Sequence, residues 1–393
     1  MNFEEFIEEV VNDIRNFLPE DYENAEITVM DAHKLNESYK AMTVRKEGQL
    51  AAPTVDLRKC YEEVENGGDF YMTMRGIAEL VQMQPKGLEL NDITNYEKAK
   101  DRLFIRVSDA EKNAEILTGV PHKEECGLAI TYHVFVDIGA EGVGSTMVNE
   151  SLMREFGVTP EQLHKDAVEN SPKIMPPEIT SMEDKINIMM GLEAMSDEPV
   201  TFEQALEDID FSKDRMFVLS NREGVNGASV IFYPEVLKQI GDKAGMNFFI
   251  LPSSVHEQLI VPDDGSMSLE ELTAMVKEVN TNEVAPKDVL SYTVLHYDSK
   301  EHMLEKGTDH KERMEEEKAV LKWADGFYNV RNIDTLAEVA DVTDALEKRA
   351  EKEGLKPSEY IKKYEPTPDD IKKDMPAYNK PAKAKKHRDW DAR

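Results

Sequence analysis

Cysteine is scarce in this chain, and the scarcity limits its chemistry. Cys60 and Cys126 are the only two cysteines among 393 residues. Two residues cannot form a disulfide framework, and their separation fits no metal-binding motif. We therefore expect a protein of the reducing cytoplasm.

Long apolar runs are also missing. The longest stretches, such as Phe248–Leu251 and Leu259–Val261, fall far short of the roughly 20 residues that span a bilayer. Residues 1–9 carry acidic side chains where an export signal carries positive charge. These absences predict a cytoplasmic protein with no membrane partner.

Positive charge is in deficit as well. The chain has 47 Lys and Arg against 79 Asp and Glu, which gives a formal net charge of −32. Such a surface repels nucleic acid phosphates, so a nucleic acid is not an expected partner. A basic cluster lies at residues 380–393, where Asp389 and Asp391 dilute it, and we interpret it as a solvated terminus.

The patterns that are present predict an α+β protein. Short strand-like runs alternate with amphipathic helical runs, and 40% hydrophobic residues are enough for a buried core. We expect a mixed or antiparallel sheet packed with helices, followed by a charged helical tail. The expected domains are a small α+β unit over 1–85, a main α+β core over 86–305 that is either separate from the first or continuous with it, a charged helical extension over 306–364, and a disordered, basic-ended tail over 365–393.

Helix signals are clearest where a capping box is present. In this pattern the first side chain accepts an orphan amide hydrogen and the fourth reciprocates. It occurs at Thr159–Gln162, Thr201–Gln204 and Ser268–Glu271. Other helices are predicted over 3–18, 56–64, 70–81, 235–244 (with Gly245 as its C-terminal cap) and 333–346, and the chain after about Asn280 is predicted to be helical and highly charged.

Strand signals are strongest in the middle of the chain. Residues 128–138 alternate β-branched and aromatic side chains with other types, and the glycine-bearing turn 139–144 joins them to a strand at 145–148. Further strands are predicted over 26–30, 40–44, 53–57, 102–107, 216–219, 228–233, 247–252 and 258–261.

Two stretches resemble a known family. The first is Val148-Asn-Glu-Ser-Leu-Met-Arg-Glu-Phe-Gly-Val-Thr-Pro-Glu-Gln-Leu-His164, and the second runs from Phe217-Val-Leu-Ser-Asn221 to Phe249-Ile-Leu-Pro-Ser-Ser-Val-His-Glu257. They resemble an uncharacterised bacterial family, domain of unknown function 5688, over roughly residues 1–305. The resemblance implies no activity, cofactor or catalytic residue.

The segment after the strand at 247–252 is the best candidate for a polar site. Ser253, Ser254, His256 and Glu257 provide the hydroxyl, imidazole and carboxylate groups of a hydrolase. On a continuing strand, however, Ser254 and His256 are i and i+2 neighbours about 7 Å apart, and no Gly-x-Ser-x-Gly elbow accompanies them. The alternative is turn chemistry, in which a serine caps a backbone amide and His256 makes a structural hydrogen bond.

Phosphate-binding loops are not convincing in this sequence. Residues 139–146 have the first and last glycine of a Walker A loop, but serine stands where lysine must reach the phosphates. A hairpin loop is the favoured interpretation there. Asn226-Gly227 is likewise typical of a hairpin turn.

Metal sites are no better supported. His256-Glu257 lacks the second histidine of a zincin helix, because position 260 is isoleucine. A looser group is interpreted as solvated helix surface: His296, Asp298, His302, Asp309 and His310. We expect neither a metal nor another cofactor.

Methionine is abundant around residue 185. Met182, Ile186 and Met189 are spaced i, i+4 and i+7, which is typical of a buried helix stripe. The alternative is an adaptable methionine-rich binding surface.

These observations favour a non-enzymatic cytoplasmic protein that binds an unidentified protein partner through its acidic face or its methionine-rich middle. One alternative is a hydrolase-like enzyme that uses Ser253 or Ser254 with His256. A second is a small-molecule sensor with an apolar cavity between the sheet and the 235–244 helix. The sequence leaves the oligomeric state open.

Overall fold

The computed structural model describes residues 1–47, 52–82, 90–139, 142–192, 200–327 and 333–372. The chain divides into two compact units, Met1–Leu304 and Glu305–Arg393. The fold is α+β, with antiparallel sheets packed with helices, as the sequence patterns predict. The predicted boundary between residues 85 and 86 and the basic cluster at 380–393 lie outside the described residues.

The N-terminal part of the first unit is a three-stranded antiparallel sheet covered by helices. Its elements are α1 (Phe3–Asp13), β1 (Glu26–Lys34), β2 (Glu37–Arg45), β3 (Thr54–Asp56), α2 (Leu57–Glu65) and α3 (Phe70–Gln82), with the strand order β1-β2-β3. Asn2 and Glu5 form a capping box that starts α1, and a 3-10 turn over Ile14–Phe17 ends it before Pro19. Phe6 and Met42 lie in a buried cluster that belongs to this part alone.

The central part of the first unit is a sheet built around one long strand. Its elements are α4 (Leu90–Thr94), α5 (Tyr96–Ala99), β4 (Leu103–Asp109), α6 (Ala114–Leu117), β5 (His122–Glu125), β6 (Leu128–Gly139), β7 (Gly142–Met147), α7 (Glu150–Phe156) and α8 (Pro160–Ile174). One edge of β6 pairs with β4, and the other pairs first with β5 and then with β7. The antiparallel β6–β7 pairing confirms the predicted hairpin.

The last part of the first unit is a six-stranded sheet in the order β13-β12-β10-β11-β9-β8. Its elements are β8 (Pro177–Ser181), α9 (Met182–Met189), α10 (Phe202–Asp208), β9 (Phe217–Asn221), α11 (Val236–Ala244), β10 (Phe248–Pro252), β11 (Gln258–Pro262), α12 (Leu269–Asn282), β12 (Leu295–Asp298) and β13 (Met303–Lys306). Thr201 and Ser268 form the predicted capping boxes, and Gly245, at φ 66°, ends α11 as predicted. At α8 the box is half present: Thr159 accepts from the Gln162 amide.

Three local predictions in this part are wrong. Residues 228–233 form not a strand but most of the 3-10 helix Gly227–Phe232, and Asn226-Gly227 begins that helix instead of turning a hairpin. Residues 228–231 are consecutive buried residues, so the run has no periodicity that separates a strand from a helical turn. The chain after Asn280 is not uniformly helical either, since it contains β12 and β13.

The methionine-rich helix also differs from its prediction. Met182, Ile186 and Met189 were expected on a buried stripe, but α9 has no buried residue, and Ile186 and Met189 are 47% and 78% exposed. Met190 and Leu192 continue the exposed apolar surface beyond the helix. Spacing alone shows that the side chains share a helix face, but it does not show what covers that face.

After the end of β13, the elements of the second unit are helices in its described residues. Its elements are α13 (Gly307–Asp325), α14 (Ile333–Lys352), α15 (Pro357–Tyr364) and α16 (Pro368–Lys372). Trp323, Leu346 and Ile371 lie in its buried cluster, and the Trp323 indole donates to the Pro366 carbonyl at 2.8 Å. Helix α16 therefore occupies a stretch for which the sequence predicted disorder, whereas residues 373–393 lie outside the described ones. Across the described ranges of both units, no helix combines the length and apolar character that crossing a bilayer requires.

Candidate functional site

A cavity of about 420 Å³ lies within the first unit, between the central sheet and several loops. Its floor is formed by strands β4, β6 and β7, and its roof by loops from the N-terminal hairpin and from the last part of the unit. The lining residues are Leu35, Asn36, Arg106, Val107, His133, Ser145, Met147, Asn226, Val255, His256, Lys287 and Asp288.

Strand alternation places polar side chains on the floor. Residues of β4 and β6 that alternate with the floor residues, such as Ile105 and Tyr132, lie in the main hydrophobic cluster on the opposite face. Arg106 pairs with Thr131 across the two strands, and His133 pairs with Met147 of β7. Arg106 and His133 are thus diagonal neighbours on the same face, a separation that long side chains can bridge.

The buried His133 ring contacts Thr131 and is held in its neutral form by its surroundings. The Thr131 hydroxyl donates to the Arg106 carbonyl oxygen at 3.4 Å and lies 3.0 Å from His133 Nε2. Burial and the nearby charge of Arg106 hold the pKa of His133 well below its usual value, so the ring is neutral.

Arg106 brings positive charge into this poorly hydrated floor. Burial lowers the pKa of its guanidinium to about 10, which still leaves it charged at neutral pH. Lys287 adds a second cation at the roof, and Asp288 adds a carboxylate. The cavity therefore brings charges of both signs together beside a buried imidazole.

The roof is held together by His256. Its Nδ1 accepts a hydrogen bond from the Asn226 amide at 3.2 Å, which requires an unprotonated Nδ1 and places the ring hydrogen on Nε2. Nε2 lies 3.4 Å from Asp288 Oδ1, and the Val255 amide donates to the Asp288 carbonyl at 2.8 Å. One imidazole thus connects three loops that are far apart in sequence.

Asn226 and Gly227 make this arrangement possible. Asn226 adopts the left-handed conformation, at φ 54°, which asparagine tolerates better than most residues. A Cβ atom on Gly227 would lie 2.6 Å from both the Asn221 nitrogen and the His256 carbonyl oxygen. Only glycine lets the chain approach this closely.

The N-terminal hairpin contributes the remaining edge of the roof. Asn36, in the β1–β2 turn at φ 67°, donates its amide to Asn113 Oδ1 at 2.7 Å, and Asn113 Nδ2 donates to Asn36 Oδ1 at 2.8 Å. Asn36 Nδ2 lies 3.5 Å from the Val289 carbonyl oxygen. The hairpin tip is therefore tied to both the central sheet and the loop that carries Asp288.

The sequence candidates divide between the cavity and its surroundings. His256 lines the cavity, whereas Ser253, Ser254 and Glu257 are not among the lining residues. Ser254 Oγ accepts from the His256 backbone amide at 3.0 Å, and Ser253 Oγ lies 3.5 Å from Glu257 Oε1. In the described part of the chain, no serine hydroxyl is bonded to the His256 ring. These contacts have the form of the turn chemistry that the sequence offered as the alternative.

The residues of the histidine-rich group at 296–310 lie in different elements of the fold. His296 and Asp298 lie in the buried strand β12, contrary to their interpretation as solvated helix surface. His296 Nε2 lies 3.4 Å from Asp263 Oδ2, and His302 occupies a left-handed turn position at φ 52°. In the second unit, Asp309 is exposed and His310 Nδ1 lies 2.9 Å from Glu305 Oε1.

A larger depression, of about 830 Å³, lies in the second unit between α14 and α15. Its charged lining residues are largely exposed to solvent, for example Asp344, Lys348, Glu351 and Glu359. These charged side chains of both signs remain hydrated and do not converge on one point. The larger volume therefore does not make this depression the better candidate for a ligand site. The cavity with Arg106 and His133 is the better candidate.

Arg106 and His133 were not singled out from the sequence. The sequence feature that could have identified them is the presence of polar side chains within predicted strands whose other residues are mostly apolar. These polar side chains are Arg106 in β4, and Thr131 and His133 at alternate positions in β6. That pattern marks one polar face, but the partner of each strand and the loops above it depend on contacts between distant residues.

Comparison with known proteins decides the family. A family model described as a family of unknown function, DUF5688, matches residues 3–299. The chain belongs to DUF5688. All the residues that line the cavity, from Leu35 to Asp288, fall within the DUF5688 match. No curated protein and no solved structure matches the chain.

Proposed function

We propose that this protein binds a small organic molecule in the cavity between the central sheet and the roof loops, and that it acts as a sensor of that molecule. The observation that carries the proposal is the convergence of Arg106, His133, His256 and Asp288 on one concave space. About 420 Å³ lies within the usual range of about 300 to 1,000 Å³ for ligand pockets.

The composition of the roof supports a sensing role. It joins the N-terminal hairpin, the Asn226 turn, the loop before β11 and the loop after α12 through a few hydrogen bonds. A ligand that touches all of these loops binds their closed arrangement more tightly than an open one. Its binding therefore stabilises the closed arrangement. Ligand occupancy would thereby change the N-terminal part of the unit, which has its own hydrophobic core.

The hydrolase alternative has weaker support. Its nucleophile would need an acceptor nitrogen on His256, but Nδ1 already accepts from Asn226 and the hydrogen on Nε2 faces Asp288. The sensor predicted from sequence was expected to have an apolar cavity beside the 235–244 helix. The cavity proposed here is polar and lies over a different sheet.

A cavity-filling variant tests the binding proposal. We would screen a mixed library of neutral, acidic and basic metabolite-sized compounds against the full chain by thermal shift and confirm the hits by calorimetry. Ser145→Phe places a ring in the cavity and should abolish binding of every hit, whereas Ser212→Phe, at an exposed position outside the cavity, should leave binding unchanged. Hits that bind Ser145→Phe as well as the wild type would refute the proposed site.

A protein-binding role remains a second candidate because of the exposed end of α9. Ile186, Met189, Met190 and Leu192 are all exposed, and flexible thioethers adapt to varied apolar partners. This surface corresponds to the methionine-rich contact expected from the sequence. A pull-down from native lysate with the wild type and with Met189→Lys/Met190→Lys tests it: a stoichiometric partner lost only from the variant supports the role, and equal recovery by both contradicts it.

A further inference from the structure

One contact in the roof of the cavity depends on the protonation of a histidine. We propose that His256 is a pH-dependent switch: when it takes up a proton in mild acid, its bond to the Asn226 amide breaks and the roof opens at that point. The switch requires no ligand, so it is independent of the sensing role proposed above.

The bond between Asn226 and His256 forms only with a neutral ring. A backbone N–H can only donate, and the atom that accepts it, at 3.2 Å from the Asn226 nitrogen, is His256 Nδ1. An imidazolium has hydrogens on both ring nitrogens and no acceptor. Because Nε2 already carries the hydrogen of the neutral ring, an added proton must bind Nδ1. It would then face the Asn226 hydrogen, and the two groups would repel each other.

Asp288 gives the charged ring a partner of its own. Its Oδ1 lies 3.4 Å from Nε2, the other ring nitrogen. An imidazolium is attracted to this carboxylate more strongly than a neutral ring is. The contact with Asn226 therefore favours the neutral form of His256, and the contact with Asp288 favours the charged form. A fall in pH shifts the ring from the first partner toward the second.

The His256 ring is accessible to protons from the solvent. Its side chain is 36% exposed and that of Asp288 is 30% exposed. Histidine is also the side chain whose charge ordinarily changes between about pH 5 and 8. His133 differs in both respects, because it is buried and its pKa is held well below the usual value.

Other ionisable groups of the described chain face the same space or lie beside the ring. They are Arg106 of β4, His133 of β6, Lys287 next to Asp288, and Glu257 next to His256. Cations oppose the uptake of a proton by a neighbouring imidazole, and carboxylates favour it. These groups affect the pH at which the switch operates. They do not decide which contact breaks, since that follows from the position of Nδ1.

The bonds around His256 confine the change to one point. The His256 backbone amide donates to Ser254 Oγ, and its carbonyl oxygen accepts from the Ser220 hydroxyl. The Ala228 amide donates to the Val255 carbonyl at 3.2 Å. None of these three bonds involves the imidazole, so the ring can turn while both chain segments stay in place. The amide that loses its acceptor then becomes a donor at the edge of the cavity.

Hydrogen exchange of single amides, followed by NMR on the full chain without ligand, tests the switch. Rates would be converted to protection factors, which removes the intrinsic pH dependence of exchange. Between about pH 8 and pH 5, we expect the protection of the Asn226 amide to fall about fivefold to tenfold, the equivalent of one hydrogen bond. The Ala228 and Val255 amides should keep theirs. Equal protection of Asn226 at the two pH values would overturn the proposal.

Two glutamine variants assign the effect to one ring. A glutamine at position 256 does not take up a proton in this range, so in His256→Gln the protection of the Asn226 amide should not change with pH. His133→Gln, which removes the other imidazole of the cavity, should retain the fall that the wild type shows. The opposite pattern would assign the effect to His133 and reject the switch.

The ring itself provides a readout that needs no variant. Two-bond proton–nitrogen spectra of the wild type, labelled with nitrogen-15 in histidine, show which ring nitrogen carries hydrogen. We expect His256 to carry it on Nε2 alone at about pH 8 and on both nitrogens at about pH 5. A hydrogen on Nδ1 at pH 8 would contradict the proposal. The sensor is judged separately, since the library screen can fail while the protection of Asn226 still falls in acid.

Discussion

Asn36 and Asn113 bind each other through two reciprocal hydrogen bonds, of 2.7 and 2.8 Å, and so join the N-terminal hairpin to the central sheet. Asn113 is only 2% exposed and also donates to the Asp109 carbonyl. The pair connects two parts of the unit that have separate hydrophobic cores. It is thus the contact by which the hairpin tip is held over the cavity.

Removal of the Asn113 amide should therefore weaken both folding and ligand binding. Asn113→Ala leaves the half-buried Asn36 amide without its acceptor and removes the buried Asn113 amide group, and we expect the free energy of unfolding to fall by about 1–3 kcal/mol in urea denaturation. Asn12→Ala, at an exposed position of α1, should change it by less than about 0.5 kcal/mol. Equal stability of the two variants would show that the amide pair does not hold the hairpin.

Gly227 should be intolerant of even one methyl group. A Cβ atom there would come within 2.6 Å of backbone atoms of Asn221 and His256, which cannot move without shifting β9 or the roof. We expect Gly227→Ala to lower the free energy of unfolding by about 1–3 kcal/mol. Gly76→Ala, in helix α3 with open space around it, should instead raise that free energy by up to about 1 kcal/mol. Thermal and urea unfolding of the two variants checks that the free energy of unfolding falls for Gly227→Ala and rises for Gly76→Ala.

Local sequence signals predicted much of the fold, because their causes are local. The capping boxes at Thr201 and Ser268 and the glycine cap at Gly245 are formed by residues within a few positions of one another. Alternation also identified the strand at 128–138 as β6. Such patterns remain readable in one sequence whatever the rest of the chain does.

The cavity could not be predicted in the same way. Arg106 meets His133 only because β4 pairs with β6 in one register, and His256 meets Asp288 only because two distant loops converge. His256 was singled out, both as a hydrolase base and as a residue that makes a structural hydrogen bond, but its partner, the Asn226 amide, is invisible in the sequence. Likewise, the 3-10 helix at Gly227–Phe232 resembles a strand in the sequence because residues 228–231 are buried one after another.

His133 should make the protein less stable in mild acid. Its pKa is lowered in the folded state, while the unfolded side chain titrates near 6.5. As the pH falls below about 6.5, His133 binds a proton in the unfolded state but not in the folded state. The free energy of unfolding therefore falls by up to about 1.4 kcal/mol per pH unit. The stability that the neutral His133 ring preserves is fully present above about pH 7, and it is lost as the pH falls toward the folded-state pKa.

His133→Gln checks this pH dependence. The variant should have a shallower loss of stability than the wild type between about pH 6.5 and 5, and a parallel profile above about pH 7. The full curves would come from urea denaturation at each pH. Identical slopes below pH 6.5 would mean that His133 takes up its proton in the folded state.

His256 should stabilise the fold and not take part in catalysis. The stability losses of variants at His256, Ser254 and Ser253 should then follow an order that a hydrolase would not produce. His256→Ala removes the acceptor of the Asn226 amide and the partner of Asp288, so we expect a loss of about 1–3 kcal/mol in the free energy of unfolding. Ser254→Ala removes only the bond to the His256 backbone amide, and Ser253→Ala removes a marginal contact, so their losses should be smaller in that order.

Hydrolysis of p-nitrophenyl acetate and of a peptide library provides the second readout for these three variants. A serine nucleophile would make one serine variant inactive without loss of stability, and His256→Ala would lose activity in parallel. The bonds of His256 to Asn226 and Asp288 predict the reverse: no turnover in the wild type beyond a heat-treated control, and a stability loss that is greatest for His256→Ala. Turnover that Ser254→Ala or Ser253→Ala abolishes would reinstate the hydrolase, because no structural role of these hydroxyls would produce it.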